Sequence, residues 1–250
     1  MFRLLSLLLA VAMLPACATT SPAAEPTEPD PRAEQVEALR IALADVAAAQ
    51  STADDTLRRV LDAIRGIDEA VAAVSAVDTL DDALAGYDAR HAMNATVSTD
   101  GLREVWFDVA VAAEDAHVVV QRAEDLLDDP WELRYVEAQD DVLAAVRAYA
   151  ESADRLSQIV QQHWPTYLRV DEQLVSFAER RWFFRSTQEA ADALAVEADT
   201  LFADLRVAQA QLNLLRTERL EAASAVNTAT ADAVQIWESR PTDQPTLPNG

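Results

Sequence analysis

The 250-residue chain has no lysine, one cysteine and four glycines, and each scarcity removes a class of function. With Cys17 as the single thiol, no disulfide can close within the chain. The glycines, Gly66, Gly86, Gly101 and Gly250, are too scattered to build a phosphate-cradling loop. No serine lies in a nucleophile elbow, and no Ser/His/Asp or Cys/His arrangement can be assembled. All 20 basic residues are arginine, set against 43 acidic ones, for a formal charge of -23. So acidic a surface argues against a nucleic-acid partner and against direct adhesion to anionic lipid.

Proline is scarce where it matters most. Between Pro31 and Pro241 only Pro130 and Pro165 interrupt the chain, which leaves room for long helices. Twelve positions from Val36 to Val74 keep a heptad step: Val36, Leu39, Leu43, Val46, Gln50, Ala53, Leu57, Val60, Ile64, Ile67, Val71 and Val74. Such spacing predicts a helix presenting one seam to helical partners, with Gln50 as a polar layer. Asp78, with Asp81 three positions on, predicts a cap for a short helix carrying Leu80, Leu84 and Tyr87. Asn94 to Gly101 (NATVSTDG) reads as a loop, and its sequon at Asn94 as unmodified.

A further helix is expected from Leu102, on a seam of Val105, Val109, Ala112, Ala116, Val119, Ala123 and Leu126 widened by Trp106 and Val120. Asp129-Pro130-Trp131-Glu132 predicts a sharp helix start, with Asp129 as cap and Pro130 in the first turn. The helix that follows is expected to stop or kink at Pro165, making His163 a helix-end cap. From Thr166 to Glu238 there is no proline or glycine, and the spacing predicts one helix of about seventy residues, roughly 110 Å. Its seam runs Leu194, Ala198, Leu201, Leu205, Ala208, Leu212, Leu215, Ala222, Val226, Ala229, Ala233 and Ile236, broken by Arg219. Together these patterns predict an all-α fold, an elongated antiparallel helical bundle or coiled coil, over residues 32–240.

The first residues carry an address. Met1-Phe2-Arg3 is followed by a largely apolar run from Leu4 to Leu14, too short for a stable membrane span, and then by Leu14-Pro15-Ala16-Cys17. This ending resembles the lipobox of bacterial lipoproteins, although proline before the alanine is less usual. The resemblance covers about seventeen residues and implies a signal peptide over 1–16. It further implies acylation of Cys17 and attachment to the extracytoplasmic face of a bacterial envelope membrane. Residues 17–31 then read as a proline-rich tether and 241–250 as a disordered polar tail.

Two candidate sites remain. Arg180, Arg181 and Arg185 surround Trp182, Phe183 and Phe184, a cationic and aromatic cluster suited to a protein or cell-wall partner. Asp88 with His91, and Glu114 with His117, each put a carboxylate and an imidazole one turn apart. The second pair has the Glu-x-x-His form of ferritin-like di-metal bundles. A di-metal enzyme is therefore the alternative, but the first helix has no glutamate on its seam to share between two metals. The expected function is structural or interaction-based, with no catalytic residue and no cofactor.

Overall fold

The computed structural model describes residues 31–74, 90–92, 94, 96–127, 129–183, 196, 199–200 and 202–239, with backbone alone at 32–33, 73–74 and 175–183. Four long helices account for most of them: α1 (Pro31–Val74), α2 (Leu102–Glu124), α3 (Pro130–Phe183) and α4 (Ala203–Glu238). No strand occurs among the described residues. The protein is an all-α helical bundle. The expected short helix after Asp78 and the residues around Cys17 lie outside the described residues.

Packing separates two compact units. The first takes its described residues from 31–53, 104–153 and 218–239, the second from 54–103 and 154–217. Helix directions follow from side-chain pairs inside each. In the first unit, Trp106, Glu114 and His117 of α2 meet Tyr149, Arg147 and Asp140 of α3, so one helix advances as the other retreats. In the second, His163 and Arg169 of α3 meet Gln211 and Asp204 of α4 in the same reversed order. Hence α3 is antiparallel to both neighbours.

That reversal corrects the expectation of one helix from Thr166 to Glu238. Thr166 lies inside α3, and the stretch contains two antiparallel helices, the end of α3 and α4, with Phe202 in a turn before α4. Nor does Pro165 end a helix, because α3 runs through it. A mid-helix proline costs about 3 kcal/mol. Pro165 is exposed, so water can reach the carbonyl it leaves unpaired, while Leu156, Val160, Trp164, Tyr167 and Val170 bury the opposite face. Burying each such side chain contributes about 1.5–3 kcal/mol, enough together to offset the proline.

α1 packs on the seam its sequence predicts. Leu39, Leu43, Val46, Gln50, Ala53, Leu57, Val60, Ile64 and Ile67 are all buried, the five from Ala53 to Ile67 at 0–1% exposure. α2 keeps Val109, Ala116 and Ala123 of its expected seam and both widening residues, Trp106 and Val120. Its buried line is Leu102, Trp106, Val109, Ala113, Ala116, Val120 and Ala123, whereas Val105, Ala112 and Val119 are half-buried and Leu126 is exposed.

Local signals set the helix ends. Asp129 Oδ1 accepts the backbone N–H of Trp131 at 2.8 Å and of Glu132 at 3.1 Å, the cap its position predicts. Between Asn94 and α2 the chain turns through Val97 N–H to Asn94 O and Leu102 N–H to Thr99 O. Gly101 closes this turn at φ 74°, a backbone angle glycine adopts without steric cost.

Candidate functional site

The residues proposed for a metal are held by other bonds. In the first unit, Glu114 Oε2 accepts from Arg147 Nη1 at 2.6 Å. His117 Nδ1 bonds Asp140 Oδ1, and its Nε2 lies 3.0 Å from the Gln121 amide. This imidazole is held on both nitrogens, by Asp140 of α3 and Gln121 of α2. His91 belongs to the second unit, is 54% exposed at its side chain and stands 3.9 Å from Asp171 Oδ2. Asp88 lies outside the described residues. Among those described, no three His, Cys, Asp or Glu side chains converge as metal ligands would.

Asp171 sits in a buried polar cluster that sequence reasoning missed. Asp171 is 1% exposed, and Oδ1 takes a 2.5 Å hydrogen bond from Arg90 Nε while Oδ2 accepts from Asn94 Nδ2 at 3.1 Å. Burying a carboxylate costs several kcal/mol unless it is paired and hydrogen-bonded. Arg90 supplies the charge and Asn94 a second donor, which fixes the segment before α2 onto α3. Asn94 is itself buried, so its sequon is occupied structurally. The available signal was Asp171 between seam positions Val170 and Leu174, where a charge needs a partner.

A second polar group lies in the same unit. Gln209 Nε2 donates to Asp68 Oδ1 at 2.7 Å. Burial raises the Asp68 carboxyl above its ordinary range, against the Gln209 bond and the charge of Arg216, which lower it. Tyr167 is 0% exposed; burial and the Asp68 charge push its phenol well above the usual tyrosine value.

The first unit is polar in another way. Gln50, Trp106 and Ser152 are buried, and Gln50 Oε1, Trp106 Nε1 and Ser152 Oγ have no hydrogen-bond partner among the described residues. Arg219, which interrupts the α4 seam, donates from Nη2 to the Tyr149 hydroxyl at 2.7 Å and stands over its ring at 5.4 Å. The seam break is thus a cation on an aromatic face. Trp131, Tyr135 and Trp237 form an aromatic cluster with centroids 5.2–5.8 Å apart, pinned by Trp131 Nε1–H to Ile236 O at 3.0 Å. Burial there pushes the Tyr135 phenol up to about 12.

On the outside, α2 exposes Phe107 at 69%, Val111 at 41% and Val118 at 38%. Sequence reasoning missed this stripe because it followed the inward seam. Of the arginine cluster, Arg180, Arg181 and Trp182 fall within α3, while their side chains, and all of Arg185, lie outside the described residues. No described helix is long and apolar enough to cross a membrane. Compared with known proteins, the chain matches no family model, no curated protein and no solved structure.

Proposed function

We propose that the protein is a lipid-anchored helical scaffold at the extracytoplasmic face of a bacterial envelope membrane, with a structural or protein-binding role. The observation that carries the address is Leu14-Pro15-Ala16-Cys17 after a short apolar run, followed by a proline-rich tether. Two acyl chains on Cys17 would give stable attachment without a membrane-spanning helix. The role is supported by how polar side chains are used. Glu114, His117, Asp140 and Asp171 bind other side chains of the bundle, which positions helices. A di-metal reading would require Glu114 and His117 to give up Arg147 and Asp140.

Mass spectrometry of the membrane fraction tests the address. Diacylated Cys17 at the mature amino terminus is the expected result, and Cys17→Ala should release the chain from the membrane or strand its precursor. An unmodified terminus elsewhere would reject the anchor. Elemental analysis of protein purified without chelator tests the enzyme alternative, with iron, manganese and zinc each expected far below one per chain. Stoichiometric metal lost in a folded Glu114→Ala/His117→Ala variant would replace the scaffold reading.

A further inference from the structure

At 100° per residue, Phe107, Val111 and Val118 fall within an arc of about 40° on α2. Leu102, Trp106, Val109, Ala113, Ala116 and Val120 bury the opposite side, so the stripe points away from the core. An outward line of three large apolar residues at helical spacing is the pattern of a second, unfilled seam. Glu104, Asp108 and Asp115 run alongside it, all exposed and without an ion-pair partner among the described residues. Arg122 closes that acidic row at its C-terminal end. On the other flank Glu114 is held by Arg147 and Arg103 by Asp154.

We infer that the Phe107–Val111–Val118 face of α2 is a docking surface for a cationic amphipathic helix of another protein. The stripe would take the apolar face of that helix, and Glu104, Asp108 and Asp115 would meet its lysines or arginines. Charge selects this occupant. A second copy of the chain carries the same formal charge of -23, and an anionic membrane is repelled by the same carboxylates. The partner helix is read in the way grooves read helices, by anchors at i, i+4 and i+11, with charge setting register and on-rate. This deepens the interaction role proposed above and depends on it only for location: loss of the Cys17 anchor would leave the surface intact.

The test uses the full chain and a fluorescent amphipathic helical peptide of leucine and lysine, about 18 residues long, or five turns. The controls are its leucine–glutamate counterpart and vesicles of anionic or zwitterionic lipid. The lysine peptide should bind and the glutamate peptide should not. Phe107→Ser/Val111→Ser should weaken binding about tenfold or more, as loss of a central anchor does, with the circular dichroism spectrum unchanged. Asp108→Asn/Asp115→Asn should weaken it about threefold and flatten its salt dependence. Failure of the lysine peptide to bind, or equal binding by the Phe107→Ser/Val111→Ser variant, would overturn the proposal. So would self-association, or vesicle binding, abolished by that same variant, since the face would then belong to a second copy or to lipid.

Discussion

Both units bury neutral polar groups with an unpaired atom, but the second also ties a buried carboxylate to side chains of another segment. The second buries a formal charge, Asp171, and surrounds it with Arg90 and Asn94. Orphaned neutral atoms occur in both, Gln50 Oε1, Trp106 Nε1 and Ser152 Oγ in the first and Asn94 Oδ1, Ser157 Oγ and Tyr167 Oη in the second, each without a hydrogen-bond partner among the described residues. A paired charge and an orphaned neutral atom differ in what removal does. Taking one partner from a buried pair strands the other, whereas deleting an orphaned polar atom removes a cost already present.

The sharpest way to break the comparison is to bury a charge where no arginine waits. Ile64 is 0% exposed in the second unit, on the stretch of α1 where the seam is wholly apolar. Ile64→Asp should cost more than about 4 kcal/mol and bring the domain near its unfolding limit. Loss of cooperative melting would be the expected readout. A variant that melted like the parent would mean the core admits water and that Asp171 owes little to its partners.

Next in size is Arg90→Met, which keeps the aliphatic stem and leaves Asp171 with the Asn94 amide at 3.1 Å and the His91 ring at 3.9 Å. Breaking a buried pair in this way should cost about 3 kcal/mol, read as a lower urea midpoint at pH 7. Partial recovery in Arg90→Met/Asp171→Leu would show that the stranded carboxylate, rather than lost packing, was responsible.

α1 was legible because ten of its twelve seam positions are Val, Leu or Ile, so a one-step shift in register would expose nearly all of them. On α2 the alanines at 110, 112, 113 and 116 fit either edge of the seam, and Trp106 and Val120 marked the buried one. Its outward stripe was hidden by the same abundance of small residues. Of the two outcomes expected at Pro165 the stop did not occur, because a proline rule read in isolation ignores how much apolar surface the surrounding helix buries. The chain reversal before α4 carried no proline or glycine to mark it, so two seams in sequence read as one long helix. His117 and Asp140 stand on different helices, and no local spacing could have joined them.

The opposite sign is expected in the first unit. Gln50→Leu and Ser152→Ala remove the orphaned Oε1 and Oγ while nearly preserving volume. Each should be neutral or stabilising by up to about 1 kcal/mol, against the usual trend for core substitutions. A loss above about 2 kcal/mol from either would mean that these atoms bind ordered water strongly.

The smallest effect lies between the extremes, at Asp68, whose carboxylate accepts from Gln209 and has, among the described residues, no ion pair beyond the more distant charge of Arg216. Burial raises its native pKa above the unfolded value, so the folded protein holds this proton more tightly. The linkage therefore favours folding fully below the ordinary carboxylate range and is lost as pH rises through the raised native value. At pH 7 the ionised side chain should be a mild liability, and Asp68→Asn, which keeps an oxygen for Gln209, should raise the melting temperature slightly. As pH falls through the raised native value towards the ordinary aspartate range, the advantage should shrink, because the parent regains the same neutral state by protonation. Melting curves of both proteins at pH 7, 5 and 4 measure the difference. If the gap instead widened on acidification, Asp68 would be a stabilising ionised partner of Arg216 and Gln209, and the second unit would hold two paired charges rather than one.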